Sequence, residues 1–289
     1  MWFLYSLTFA FITSISTIIA KRIMRELDEY LYLAIASVFT APFLFLSVVY
    51  FYELPKVDEI FIRSVLISST IGTFAAIFAY RAIKISEISL ISPISAFNPV
   101  FTTLISFAVL GEVVSTKRGM GIIVICLGAY LLELSKSNGD LLKPIKALLI
   151  NKGVHLSLAA YFLWAITPIF EKTAIQHTFP QTPPFVALVG MAVTGTVFSV
   201  LSMKNSRIYF RRAKKFIPLF FLLGILGGIG LTSAMLAFSL TNLGFATAIF
   251  KLSILFTVIF GWLFFKEKNI KDRLLGSIVM LVGVFLLVI

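Results

Sequence analysis

Residues 97–112 read FNPVFTTLISFAVLGE and residues 252–267 read LSILFTVIFGWLFFKE. The two stretches lie 155 residues apart and align without a gap, Phe101-Thr102 on Phe256-Thr257 and Glu112 on Glu267. The match extends outward in both directions. Gly72 meets Gly227, Ala79 meets Ala234 and Ala82 meets Ala237. Arg118 meets Arg273, Gly121 meets Gly276, Gly128 meets Gly283, and Leu131-Leu132 meets Leu286-Leu287. A weaker match near the start of each half has an offset of 151: Ser6-Leu7 with Ser157-Leu158, and Lys21 with Lys172. The chain is a duplication.

Composition says which solvent the duplicated unit faces. Of 289 residues, 59% are hydrophobic and 13% are charged, and the mean hydropathy is +1.01. A soluble domain is nearer 45–50% apolar and about 25% charged. The excess apolar surface must face lipid. A soluble enzyme, a disordered chain and a disulfide-stapled secreted domain are excluded. Nucleic-acid binding is excluded too, because the +12 charge comes from short basic clusters between long apolar runs. Ten apolar stretches are long enough to span a bilayer, near 2–20, 30–51, 60–80, 87–110, 118–134, 153–173, 183–203, 215–238, 243–265 and 271–289. They are continuously apolar rather than alternating, which excludes a β-barrel. The first is read as a retained helix, not a signal peptide, because it has no charged leader and no small-residue cleavage signal. Five spans per copy is odd, so the second copy lies inverted in the membrane. The expected fold is all-α: ten transmembrane helices in two inverted five-helix repeats, 1–134 and 153–289, joined by a linker at 135–152. Inverted repeats of this kind are typical of secondary transporters, which bind substrate between the halves near the midplane.

The matched segments also carry a family pattern. Phe97-Asn98-Pro99-Val100-Phe101-Thr102-Thr103, then Leu110-Gly111-Glu112, Arg118, Gly121 and Leu127-Gly128 resemble the EamA unit of the drug/metabolite transporter superfamily. The second copy, from Ile254 through Phe265-Lys266-Glu267 to Gly276 and Gly283, resembles the same unit. The resemblance implies a ten-helix transporter with two pseudo-symmetric halves around a central cavity. It implies export or exchange of amino acids, nucleotide-sugars, other metabolites or drugs, without indicating which. The second copy departs from the pattern twice. Ile254 stands opposite Pro99, and Lys251 stands opposite Ala96, where small residues are usual.

Lys251 is the residue that bears most on function. It lies eight or nine residues into span nine, about 12 Å from the nearest end, too deep to snorkel easily. A charge at that depth costs at least ~2.5–3.5 kcal/mol on insertion scales. It is read as the anchor for a substrate carboxylate, phosphate or sulfonate. Two alternatives stay open. The lysine bonds helix carbonyls or an acid such as Glu87 or Glu171, or it is neutral at rest and takes up a proton during the cycle. Pro93 and Asn98-Pro99 interrupt span four, and Thr167-Pro168 interrupts span six. Each proline frees a carbonyl that must find a partner or line a cavity. Asn98 either donates to substrate or bonds the freed backbone. Ser95, Thr247 and Trp164 are further candidates for the cavity wall, with helix packing or a lipid-facing position as the alternative for each.

The remaining signals are structural. Gly224, Gly227, Gly228 and Gly230 smooth one face of span eight, and Gly121, Gly128, Gly276 and Gly283 do the same for spans five and ten. Glu112 and Glu267 are read as interfacial ion pairs or helix caps beside Lys117, Arg118, Lys266 and Lys268. Cys126 is read as core, and His155 and His177 lie far apart in sequence. No metal site and no cofactor are expected. Connections 1–2, 3–4, 5–6, 7–8 and 9–10 hold 19 of the 25 basic residues, against 5 in connections 2–3, 4–5 and 6–7. The positive-inside rule therefore puts both termini outside, whereas the family resemblance implies both inside.

The leading expectation is a secondary transporter of a small polar, anionic metabolite, working by alternating access in the plasma (cytoplasmic) membrane. The absence of an acidic relay at the midplane favours exchange or facilitation over proton coupling. Its rival is broad-specificity efflux of apolar, drug-like compounds, with Lys251 pointing away from the cavity. An intramembrane enzyme or sensor would need a polar catalytic pair that the spans lack. The expected partners are the small-molecule substrate and the lipid bilayer, not nucleic acid. A monomer is the expected working unit, with a dimer as the alternative.

Overall fold

The computed structural model describes residues 1–85, 92–134, 151–203, 213–265 and 271–288. Its helices follow the apolar runs closely. They are α1 (Trp2–Ile23), α2 (Glu29–Phe51), α3 (Glu59–Ile85), α4 (Asn98–Leu110), α5 (Thr116–Leu134), α6 (Lys152–Gln176), α7 (Pro183–Ser202), α8 (Ile217–Leu240), α9 (Leu243–Phe250), α10 (Leu252–Phe265) and α11 (Lys271–Val288). Two short strands, β1 (Lys56–Val57) and β2 (Thr178–Phe179), pair antiparallel. Among the described residues, α1, α2, α3, α6, α7 and α8 are long and apolar enough to cross a membrane. Spans four and nine are shorter in helix because each is interrupted. Glu87, Glu267, Lys266, Lys268, Lys204, Arg207, Arg211 and Arg212 lie outside the described residues, as does the linker up to residue 150. Lys152, placed at the end of that linker, instead opens α6. Asn151 caps it, its side-chain oxygen accepting from the N–H groups of Gly153 (2.9 Å) and Val154 (3.2 Å).

The chain forms two compact units that do not follow the repeat. The first contains Met1–Thr73 and Phe170–Leu240, and the second contains Phe74–Ile169 and Thr241–Ile289. The boundary falls inside α3 and inside α6, so each unit draws helices from both copies.

In the first unit α2 packs between α7 and α8, and α1 packs on α8. Small residues set these approaches. A Cβ on Gly224 would lie 2.4 Å from the Phe39 carbonyl oxygen, and one on Gly228 would lie 2.6 Å from Phe43 Cβ. Gly227 abuts Thr40, also on α2, whereas Gly230 faces Ile12 on α1. The glycines of span eight therefore serve two neighbours rather than one smooth face. Gly195 on α7 meets Ser37 on α2. Ile23, Leu27, Phe216, Phe220 and Leu223 bury one end of this bundle. At the strand pair, Asp58 caps α3 by accepting from Phe61 N–H at 2.9 Å. Its other oxygen meets His177 Nδ1 at 2.7 Å.

In the second unit α5 and α11, the equivalent helices of the two copies, pack glycine to glycine. A Cβ on Gly121 would lie 2.8 Å from Leu287 N, and one on Gly128 would lie 2.5 Å from Met280 N. One on Gly283 would lie 2.5 Å from Ile125 N. Positions rise along α5 as they fall along α11, so the two helices run antiparallel. Antiparallel packing of equivalent helices is what inversion of the second copy requires. The chain is an all-α polytopic membrane protein built from two such repeats.

Candidate substrate-binding site

The site lies in the second unit and starts from two helix breaks. Span four begins as a 3-10 helix over Ser92–Phe97, which includes Pro93, and turns α-helical at Asn98 with Pro99 as second residue. Pro99 needs no donor there, because the first helical N–H groups have no partner within the helix. Span nine breaks at the equivalent place without a proline. α9 ends at Phe250, α10 starts at Leu252, and Lys251 is the joint. Its N–H donates to Ala248 carbonyl, three residues back, at 3.1 Å, and its carbonyl accepts from Ile254 N–H at 3.0 Å. Such local 3-10 bonding inside a span marks a joint. Read from sequence, span nine is one helix through Lys251. The structure corrects that: the tighter bonding takes the place of the missing proline.

The half-buried Lys251 side chain lies over an aromatic face. Its Nζ is 5.7 Å from the centroid of the Tyr161 ring on α6, within cation–π range. Tyr161 joins the other candidates. Asn98 Nδ2 donates to the Tyr161 backbone carbonyl at 3.0 Å, tying the start of α4 to α6. Trp164 lies one turn further along α6, its ring 5.6 Å from Tyr161 and tilted by 55°. Pro168, buried within α6, leaves the Trp164 carbonyl without its usual N–H donor, and Thr167 Oγ1 donates to it at 3.3 Å. Lys251, Asn98 and Trp164 are thus gathered around one residue, Tyr161, which sequence reasoning passed over. The signal available was its place one turn before Trp164 and two before Pro168.

The other candidates are engaged locally. Thr247 is buried, and its hydroxyl donates to Leu243 carbonyl at 2.8 Å and Gly244 carbonyl at 3.3 Å, within its own helix. Ser95 is half-buried in the 3-10 helix. Asn98 takes the backbone-bonding alternative, though the carbonyl it bonds is on α6 rather than one freed by Pro99. Glu171, named as an internal partner for Lys251, lies in the first unit and accepts from Ser68 Oγ at 3.2 Å.

The Leu-Gly-Glu motif turns out to position the lysine's helix. Gly111 takes the left-handed conformation (φ 67°) and ends α4, turning the chain so that Glu112 reaches α9. Glu112 Oε2 accepts from Leu243 N–H at 2.8 Å, capping the positive end of α9. Asn242 Nδ2 donates to Val113 carbonyl at 3.1 Å, and Arg118 lies 5.4 Å from the Phe245 ring centroid. Gly244 lets α9 approach Thr103 closely: a Cβ there would lie 2.1 Å from Thr103 Oγ1. α9 is therefore clamped at its first turn and carries Lys251 at its last. A cation there also faces the negative end of the α9 dipole, and α10 begins immediately after it.

A profile of the EamA-like transporter family matches residues 1–134 and 151–289. The chain belongs to the EamA-like transporter family. A curated relative described as an uncharacterized transporter, from Methanothermobacter thermautotrophicus, is 27% identical over 191 residues, which are 65% of this chain and 52% of the relative. The chain thus spans about half the length of that curated relative. A solved crystal structure shares the fold, with TM-score 0.78 and 12% sequence identity, covering 100% of this chain and 98% of that one. This EamA protein is a multi-pass membrane protein.

Proposed function

We propose that this EamA transporter moves a small polar, anionic metabolite by alternating access, as an exchanger or facilitator in the plasma membrane, with Lys251 binding the anionic group. The observation that carries the reading is Lys251 at the joint of a broken span, with Nζ 5.7 Å from the Tyr161 ring centroid. Transporters place their sites at such breaks, where a half-helix N-terminus adds positive potential to the pocket. α10 supplies that N-terminus directly after the lysine. The ring's electrons attract a cation held over the aromatic face. Tyr161 and Trp164 offer apolar faces for the rest of the substrate, and Asn98 and Thr167 fix the backbone that carries those rings. Broad-specificity efflux of apolar compounds predicts a lysine turned away from the aromatic cluster, and the contact with Tyr161 speaks against it.

The deciding experiment is counterflow into vesicles reconstituted with the purified protein, using a panel of carboxylates, phosphates and amino acids. Anionic substrates are expected to exchange. Lys251→Ala is expected to abolish that exchange and Lys251→Arg to retain part of it. Undiminished anion exchange by the alanine variant would overturn the assignment.

A further inference from the structure

The first unit carries an apolar groove of about 870 Å³ between α2, α7 and the start of α8. On its floor Phe39 stacks on Phe220 with ring centroids 6.0 Å apart, flanked by Ala34 and Gly195. Along α2 the lining runs from Leu31 to Ala41. At 1.5 Å per residue this is about 15 Å, half of a ~30 Å hydrocarbon core and hence the depth of one leaflet. The hydroxyls along the α7 wall are turned onto their own helix. Thr196 Oγ1 donates to Ala192 carbonyl at 2.7 Å, Ser199 Oγ to Gly195 carbonyl at 2.7 Å, and Ser202 Oγ to Ser199 carbonyl at 2.9 Å. The wall therefore offers little to a polar solute.

One end of the groove differs. Exposed Lys214 lines it, in the short 3-10 turn Lys214–Phe216 that leads into α8. Two neighbouring acids at this end are engaged. Glu26 pairs with Lys215, and Asp28 caps α2 by accepting from Tyr30 N–H at 2.9 Å. A trough one leaflet deep with a cation at its rim matches a phospholipid, apolar chain below and phosphate above. We propose that the groove holds one acyl chain of an anionic phospholipid, with Lys214 facing the lipid phosphate.

The test is native mass spectrometry of the delipidated full-length protein, titrated with phosphatidylglycerol or with phosphatidylcholine of the same chains. One saturable phosphatidylglycerol is expected, bound about five-fold more tightly than phosphatidylcholine, the worth of one basic residue near an anionic headgroup. Lys214→Ala should lower phosphatidylglycerol affinity to the phosphatidylcholine level. Ala192→Trp, on the exposed wall, should fill the groove and remove the saturable site for both lipids. Val49→Trp, exposed on α2 outside the groove, should leave binding unchanged and so controls for bulk on the lipid face. Equal binding of the two lipids by the unaltered protein, or a saturable site that survives Ala192→Trp, would overturn the proposal. Neither result bears on Lys251.

Discussion

Lys251 and Tyr161 form a pair whose value depends on desolvation. A cation over an aromatic face is worth about 0.5–1 kcal/mol when exposed and about 2 when desolvated. Tyr161→Leu keeps the bulk and removes the π face, so half-saturation for an anionic substrate should rise about two- to thirty-fold in reconstituted vesicles. Tyr161→Phe keeps the π face and should stay near the unaltered value. A Tyr161→Leu variant with unchanged half-saturation would remove Tyr161 from the site. Lys251 was legible in the sequence because a charge deep in an apolar run is costly. Tyr161 was not, because an aromatic in a membrane helix faces lipid, a neighbour or a ligand with no local sign of which. Outside the membrane, the Phe61 N–H and then His177 hold the Asp58 carboxyl below its ordinary range. A lowered folded value contributes stability that is present above the unfolded pKa and lost as pH falls through the folded one. Thermal unfolding of the unaltered protein should therefore show an added loss below about pH 4. Asp58→Asn should lack that loss and be less stable at neutral pH.

Whole helices are positioned by a few contacts at their ends and crossings. Glu112 at the N-terminus of α9 is a charge-assisted cap of the kind worth up to ~2 kcal/mol when partly buried. Glu112→Ala should lower stability by about 1–2 kcal/mol, read as a fall in unfolding temperature in detergent. It should also weaken anion binding, because Lys251 sits at the far end of the released helix. A variant that loses stability but binds normally would separate the cap from the site. Gly128 tests the crossing of α5 and α11. A methyl there meets the Met280 and Gly276 backbone as well as the Met280 side chain, so Gly128→Ala should cost about 1–3 kcal/mol by forcing the helices apart. Unchanged unfolding would mean that the crossing is looser than described. The glycines were legible as a packing face, and Pro99 as a break. The break at Lys251 was hidden because no proline marks it. The role of Glu112 was hidden because its partner is 131 residues away.

The whole molecule resolves into a duplication that hydropathy and the glycine register made readable, arranged in units that they did not. Apolar runs report which segments meet lipid, but which helices pair depends on contacts far apart in the chain. Sidedness is testable at this scale. With 19 basic residues on one set of connections against 5 on the other, the charge rule places both termini outside. An accessibility tag after Ile289 should then react with an impermeant reagent on intact cells. Labelling only after permeabilisation would place the terminus in the cytoplasm. The division of the helices also bears on synthesis. α2 finishes at Phe51, but α7 and α8, which enclose it, end only at Ser202 and Leu240. At ribosomal speeds of about 5–20 residues per second, α2 is made roughly ten to forty seconds before its packing surfaces exist. During that interval its contact face is open to lipid and to the insertion machinery. Neither copy, released alone from a chain cut at the linker, contains the partners needed to close either unit. Two separately encoded halves should accumulate only when made together in the same cell.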